Sequence, residues 1–166
     1  LQGKNADNRK NTLYDMRIER KRYLQRLVNS RKNGQIKIIT GVRRCGKSYL
    51  LGVLYRDYLL QDGILPEQII TLELDNDINA RYRNPLELGT YLREKVADTG
   101  TDYYIMLDEI QMVEPIDNPY LPKESDSKIT FVDVLLGLKS LSNVDVYVTG
   151  SNSKMLSSDV ATAFRD

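Results

Sequence analysis

The sequence predicts an α/β fold in which helices cover both faces of a parallel sheet. Short apolar, β-branched segments alternate along the chain with longer segments whose apolar residues recur at helical spacing. The short segments are nearly continuous apolar runs, which is typical of strands buried on both faces. The length of 166 residues is that of one ordinary domain, so we expect one core without disulfides or structural metals.

The first half of the chain begins with a polar tail, residues 1–12, which we expect to be disordered or left over from cloning. The remainder, 13–166, is expected to form the core. A helix is predicted over Leu13–Asn29, because its apolar residues recur at helical spacing. Gln35–Thr40 is β-branched and bounded by glycines, which indicates a strand, and a helix is predicted over Lys47–Asp62.

The second half repeats the alternation of strand and helix. A helix is predicted to begin with proline at Pro85 and to run to Ala97. The long polar segment Met112–Lys128 contains three prolines and is expected to be an unstructured, mobile loop. The remaining predicted elements are the strands Gln68–Leu74, Tyr103–Leu107 and Val144–Thr149 and the helix Thr130–Leu141.

Composition excludes several classes of chemistry and of protein. The chain contains no histidine, which removes Ser-His-Asp catalysis and His-ligated zinc, and the single Cys45 cannot form an intramolecular disulfide. The best apolar stretch, Tyr49–Tyr55, is too short to span a membrane. We therefore expect no membrane partner and a location in the cytoplasm.

Positive charge is concentrated near the start of the chain. Residues 1–34 hold ten Lys or Arg against three Asp or Glu, hence +7, and the rest holds 14 against 20, hence −6. The run from Arg17 to Lys32 could contact nucleic acid, or it could be the solvated face of a helix. The helical spacing of the intervening apolar residues favours the solvated face.

The first chemical motif lies between the first strand and the second helix. Gly41-Val-Arg-Arg-Cys-Gly-Lys-Ser48 matches G-x-x-x-x-G-K-[ST] in full, in a strand-to-helix context. Backbone N–H groups of such a loop and the start of its helix face phosphate groups, Lys47 reaches the β and γ phosphates, and the Ser48 hydroxyl binds Mg²⁺. The residues predicted to contact a nucleotide are Gly41, Val42, Arg43, Arg44, Cys45, Gly46, Lys47, Ser48 and Tyr49.

The second motif is a pair of adjacent carboxylates at the end of the strand Tyr103–Leu107. The carboxyl end of a neighbouring parallel strand is where ligands bind in open α/β sheets. Asp108 is therefore expected to hold Mg²⁺, and Glu109 to activate the attacking water as general base. Gln111 either orients that water or is an ordinary loop residue.

The third motif is the small polar turn that follows the last strand. If that strand lies between the first and the third, its end falls between the loop and the carboxylates, so Thr149, Ser151 or Asn152 could sense the γ phosphate. The alternative is that these residues cap the following helix.

Together the segments GVRRCGKS, YYIMLDEIQ and VYVTGSNSKMLSSD resemble the AAA+/STAND-type ATPases of bacteria and archaea, in which a nuclease-like domain usually follows the ATPase core. The resemblance covers about 17–166. It implies a P-loop NTPase fold of three α/β/α layers with strand order 5-1-4-3-2, and ATP and Mg²⁺ as ligands. Lys47 and Ser48 then form the Walker A pair, Asp108 and Glu109 the Walker B pair, and Ser151-Asn152 the first sensor.

The same resemblance concerns the end of the chain. Arg165 lies where the family tends to have an arginine that can reach a neighbour's γ phosphate, which would imply a homo-oligomer. The family's preceding glycine is Phe164 here, and a surface arginine is the alternative. The family's fifth strand, helical lid and C-terminal domain are absent from these 166 residues. Hydrolysis by this chain alone is therefore expected to be weak.

The favoured function is Mg²⁺-dependent ATP hydrolysis coupled to a conformational change on a client. Two alternatives use the same loop: a nucleotide-gated binding module that does not hydrolyse, and a small-molecule kinase. The adjacent carboxylates favour water as the acceptor over a small molecule. A GTPase would need a guanine-reading Asn-Lys-x-Asp, which Asn152 to Met155 does not provide.

Overall fold

The structure, a computed structural model, describes residues 20–151. Within that range four long strands alternate with helices, and one small hairpin is inserted. The strands are β1 Lys37–Gly41, β2 Ile69–Glu73, β3 Tyr103–Asp108, β4 Ile116–Asp117, β5 Lys128–Ile129 and β6 Val144–Ser151. The helices are α1 over 20–29, α2 over 47–61, α3 Pro85–Lys95 and α4 Phe131–Lys139.

The long strands form one sheet in the order β1-β6-β3-β2, with every pair parallel. This confirms the predicted α/β class and the relative order 1-4-3-2 of the four long strands. No strand lies on the outer side of β1 among residues 20–151, where the predicted fifth strand would pair. Because all four strands are parallel, their carboxyl ends meet at one edge of the sheet.

Helices cover both faces of the sheet, as the three-layer prediction requires. On one face, α1 and α2 contribute Leu27, Leu51 and Leu59 to a buried cluster with strand residues such as Met106. On the other face, α3 and α4 pack on the remaining strand side chains. The residues of that second cluster with no exposed surface include Leu88, Leu92, Leu135, Leu138, Ile105 and Leu107.

Helix α2 contains a π-helical stretch that the sequence does not predict. Its parts are α-helical Lys47–Tyr49, π-helical Leu50–Tyr55 and α-helical Arg56–Gln61. The buried residues Leu51, Tyr55 and Leu59 are spaced by four, so an ideal α-helix would rotate each about 40° past the last. The wider π turn offsets this rotation and keeps all three against the sheet.

The segment after β3 is partly ordered by pairing of its ends. The prediction of an unstructured loop over Met112–Lys128 is wrong there, because β4 and β5 form an antiparallel pair. An ion pair joins Lys128 to Asp117, and Asn118 N donates to Ser127 O at 3.0 Å. Short polar strands of this kind have no apolar run that would reveal them in the sequence.

The basic residues Lys21, Arg22 and Arg26 on α1 are exposed, as expected for a solvated helix face, whereas the end of the basic run follows the helix and is paired. Arg31 forms an ion pair with Asp62 and donates to Tyr104 Oη at 2.7 Å, and Lys32 forms an ion pair with Asp102. These cations fasten the segment after α1 to other elements of the core. The tail 1–12 and the part of the predicted first helix before residue 20 lie outside the described residues.

A buried polar network lies beneath α1 and α2. Lys37 forms an ion pair with Asp145, which also accepts from Tyr147 Oη at 2.7 Å and from the backbone N of Lys32 at 2.9 Å. Tyr55 and Tyr147 share a hydrogen bond between their hydroxyls. Burial, with the charge of Asp145, raises the pKa of the Tyr147 phenol well above its ordinary value, so this hydroxyl stays protonated at neutral pH.

Candidate functional site

The three sequence motifs meet at the carboxyl edge of the sheet. The loop Gly41–Ser48 follows β1, Asp108 ends β3, and Thr149 lies near the end of β6, the strand between them. Adjacent strands are about 4.8 Å apart, so β1 and β3 are separated by roughly 10 Å. A single small molecule can therefore contact the loop and the carboxylates together.

The loop Gly41–Ser48 curls tightly before α2 begins. Gly46 has φ +91°, in the left-handed region that glycine adopts without strain. A side chain at residue 41 would place its Cβ 3.0 Å from Cys45 Sγ and 3.7 Å from Lys47 Cδ. Glycine at residue 41 therefore allows the close approach of Cys45 and Lys47 within the loop, and glycine at residue 46 allows the left-handed backbone conformation.

Lys47 is the buried cation of the loop, with 6% of its surface exposed. Its Nζ donates to Gly41 O and Val42 O, both at 3.1 Å, and lies 4.0 Å from Cys45 Sγ. No carboxylate pairs with this ammonium among residues 20–151. Its positive charge is thus held by neutral carbonyls, which an anion could displace.

A cavity of about 330 Å³ adjoins the loop. Helix α1 contributes two side chains to its wall, Arg20 and the half-exposed Tyr23. The Arg20 guanidinium also lies 5.1 Å from the centroid of the Tyr49 ring. Sequence reasoning missed both α1 residues as site residues, since the packing of α1 beside the loop is what brings them there. The remaining lining residues are Ile39, Thr40, Gly41, Val42, Cys45, Gly46, Lys47 and Leu50.

A second, much smaller cavity of about 20 Å³ lies between α2 and the ends of β2 and β3. Ser48 and Asp108, the two predicted Mg²⁺ ligands, both line it, together with Thr71 and Glu73. The volume suits one water molecule or one small cation, and hydroxyl and carboxylate oxygens are ligands that Mg²⁺ accepts. The residues present therefore fit a magnesium ion.

Thr71 and Glu73 were missed by sequence reasoning. Glu73 is the register partner of Asp108 across β2 and β3, and Thr71, two residues earlier, lies on the same face of β2. The alternation of Thr71, Leu72 and Glu73 along a predicted strand was a signal, but it becomes informative only once β2 is known to lie beside β3.

The acidic pair is organised by Thr149. The buried Thr149 hydroxyl donates to Asp108 Oδ1 and accepts from the backbone N of Glu109 at 3.0 Å. Glu109 has φ +55°, a left-handed conformation uncommon for a non-glycine residue. Gln111 Nε2 donates to Glu109 Oε2. One hydroxyl thus fixes Asp108, while the amide of Gln111 holds the carboxylate of Glu109.

The remaining predicted residues are placed as follows. Ser151 ends β6 beside Gly41, whereas Asn152 and Arg165 lie outside the described residues. Cys45 is an exposed free thiol. Arg43 and Arg44 are exposed, and within residues 20–151 neither forms an ion pair or a side-chain hydrogen bond.

Arg44 has φ +65°, so its backbone is strained in a way that Gly46 is not. Replacing Arg44 by glycine is expected to raise the free energy of unfolding by up to about 1 kcal/mol, because the left-handed strain outweighs the added flexibility of the unfolded chain. Urea unfolding measures this. The matched control Arg43→Gly, at a residue without positive φ, should lower stability by about 0.5–1 kcal/mol. Equal effects of the two variants would contradict the strain at Arg44.

Two negative findings bound the site. Within residues 20–151, no group of three or more His, Cys, Asp or Glu side chains could hold a metal ion by itself, so a cation here would need ligands from a bound molecule or water. No helix in the same range is long and apolar enough to cross a membrane.

A further cavity of about 480 Å³ lies at the opposite edge of the sheet. Lys32 and Asp102, which line its wall, form an ion pair with each other.

The chain is similar to known proteins in sequence and in fold. Two uncharacterized proteins are similar in sequence: one of Haemophilus influenzae, 34% identical over 145 residues (87% of this chain), and one of Methanocaldococcus jannaschii, 29% identical over 135 residues (79% of this chain). The matches cover only 32% and 24% of those relatives, so the chain corresponds to about a third and a quarter of their lengths.

Two solved structures share the fold at low sequence identity. One is the structure of Drosophila ORC bound to AT-rich DNA and Cdc6. The match covers 95% of this chain and 56% of the chain in that structure, with a TM-score of 0.56 and 10% sequence identity. The other is the structure of Drosophila ORC bound to DNA. The match covers 91% of this chain and 88% of the chain in that structure, with a TM-score of 0.54 and 12% sequence identity. A family profile described as an AAA domain matches residues 33–166. The chain therefore belongs to the AAA domain family, with a P-loop ATPase type of fold.

Proposed function

We propose that this chain binds ATP with Mg²⁺ and hydrolyses it to ADP and phosphate. The observation that carries the proposal is the small cavity that Ser48 and Asp108 both line. Lys47 directly precedes Ser48 in the sequence, and Glu109 directly follows Asp108. A cation held there would lie between the phosphate-binding loop and a carboxylate able to accept a proton. Membership of the AAA domain family supports nucleotide binding.

Each side chain has a definite part in this proposal. The Lys47 ammonium exchanges the carbonyls of Gly41 and Val42 for phosphate oxygens, a stronger charge-assisted contact. Ser48 and Asp108 would hold the Mg²⁺, which when bound supplies charge neutralisation for the phosphates. Glu109 takes the proton of the attacking water.

The larger cavity is the proposed site of the base and ribose. Its volume of about 330 Å³ is within the range of small-molecule sites, and it opens beside the loop that would hold the phosphates. Tyr23 offers a half-exposed aromatic ring on which a base can stack. The Arg20 guanidinium offers hydrogen-bond donors near the same wall.

Coupling of hydrolysis to a client is part of the same proposal. Assembly of identical copies through Arg165 and a location in the cytoplasm are expectations that accompany it. DNA is not favoured as the client, although it is present in both ORC structures, because Arg31 and Lys32 at the end of the basic run pair with Asp62 and Asp102. A nucleotide-gated module that does not hydrolyse, or a small-molecule kinase, is the alternative.

Protection of Cys45 from alkylation tests nucleotide binding. Cys45 is the single thiol of the chain, is exposed, and lines the cavity beside the loop. ATP with Mg²⁺ is expected to slow its reaction with a maleimide at least about tenfold near saturation, since an occupancy of about 90% leaves about one tenth of the protein free to react. Adenosine, which lacks phosphates, is the control and should protect far less. Equal alkylation rates with and without ATP would contradict binding at this loop.

A further inference from the structure

The turn that follows the acidic pair holds a buried atom without a partner. Gln111 Oε1 is the one buried side-chain nitrogen or oxygen atom within residues 20–151 that makes no hydrogen bond. Gln111 lies in the short helical turn Ile110–Met112, where Ile110 is buried in the core, as is Val113, which follows the turn. Gln111 itself is partly buried.

The identity of the free atom follows from the contact on the other side of the amide. Nε2 donates to Glu109 Oε2. Rotating the amide by half a turn would place Oε1 against the carboxylate oxygen, where two acceptors repel. The free group is thus an acceptor, and a hydrogen-bond donor such as a water molecule would satisfy it.

We propose that this donor is the attacking water and that Gln111 is a positioning residue for hydrolysis. The inference rests on the proposed ATPase function. Nε2 holds the Glu109 carboxylate while Oε1 accepts one hydrogen of the water, and Glu109 accepts the other. The two side chains together fix both the place and the orientation of the nucleophile.

The step that this arrangement serves is a hydrolytic displacement at the γ phosphorus. The water oxygen forms a bond to that phosphorus, and the bond between the phosphorus and the β–γ bridging oxygen breaks. Its electron pair remains on the β phosphate of ADP. The water proton passes to the Glu109 carboxylate and from there to solvent or phosphate, so Glu109 is regenerated. Gln111 exchanges no proton.

Two substitutions separate this role from a structural one. Gln111→Met keeps the length and shape of the side chain but removes both polar groups. We expect single-turnover hydrolysis, measured with protein in excess over ATP, to slow at least about tenfold, with unchanged Cys45 protection by ATP and Mg²⁺. The thermal midpoint should change little, because removal of a buried acceptor without a partner offsets the loss of the hydrogen bond from Nε2 to Glu109.

Gln111→Glu keeps an oxygen at the acceptor position. It should therefore hydrolyse ATP faster than Gln111→Met in the same single-turnover measurement. A residue that only supports the fold would give no such rescue at equal nucleotide binding. The matched control is Gln68→Met, which loses a comparable amide contact, Nε2 to Asp102 O at 2.9 Å, at the opposite edge of the sheet. Its turnover should equal that of the parent.

The outcomes distinguish this inference from the proposed function. If Gln111→Met hydrolyses ATP as fast as the parent, or if Gln68→Met slows equally, Gln111 does not position the water and only this inference is overturned. If the parent shows no protection of Cys45 by ATP, nucleotide binding itself is overturned. If the parent binds ATP but shows no single turnover, hydrolysis and the role of Gln111 are overturned together.

Discussion

Replacing Lys47 by alanine is expected to lower the affinity for ATP with Mg²⁺ by at least about a hundredfold, equivalent to roughly 3 kcal/mol. Lys47 is the buried cation of the loop, and only carbonyl oxygens and a thiol surround its Nζ. Without it the triphosphate loses a charge-assisted contact in a site where water screens poorly. Calorimetric titration measures the effect.

The control for this variant is Lys123→Ala, which removes an exposed lysine from the loop between β4 and β5. Its affinity should equal that of the parent. The thermal midpoint of Lys47→Ala checks that the variant folds, and we expect it to change little. The Lys47 ammonium contacts backbone carbonyls, so its removal leaves no buried carboxylate without a partner. Unchanged affinity in a folded Lys47→Ala variant would refute phosphate binding by this loop.

Replacing Glu109 by glutamine is expected to preserve nucleotide binding and to slow hydrolysis by about 10²- to 10⁴-fold. The amide keeps the shape of the side chain but cannot accept the water proton. The backbone contact of Glu109 N to Thr149 Oγ1 at 3.0 Å does not involve the carboxylate, so the turn should survive the change. Phosphate release under single-turnover conditions measures the rate, and calorimetry the affinity.

The matched control is Glu114→Gln, which neutralises an exposed carboxylate five residues further along the same segment. Within residues 20–151 its backbone N donates to Arg83 O at 2.9 Å, and its carboxylate forms no hydrogen bond or ion pair. This variant should hydrolyse ATP at the parental rate. A Glu109→Gln variant as fast as Glu114→Gln would mean that another group accepts the proton.

Much of the fold is predictable because glycine and proline mark the ends of its elements. The strand before Gly41 and the helix starting at Lys47 are predicted within two residues of their observed bounds, and Pro85 begins α3 as expected. The order of the long strands comes from the family resemblance, and the structure agrees with it. Local chemistry does not predict the π-helical stretch, which arises from packing of α2 on the sheet.

The parts of the site that sequence reasoning missed depend on contacts between distant segments. Thr71 and Glu73 join Ser48 and Asp108 only through the register of β2 with β3. Tyr23 reaches the larger cavity only because α1 packs beside the loop. A motif reports residues that are close in sequence, whereas these residues become neighbours through tertiary structure.

Ion pairs attach α1 to the core at the end of the helix that lies away from the cavity beside the loop. At its far end Arg31 and Lys32 fasten the chain to Asp62 and Asp102, while Arg20 at its other end lines the cavity beside the loop. The helical part from residue 20 to residue 29 spans about 14 Å at 1.5 Å per residue. A rotation of about 10° about the fastened end would carry residue 20 by roughly 2 Å. Arg20 is thus the residue of α1 whose position a ligand in the cavity beside the loop would change most.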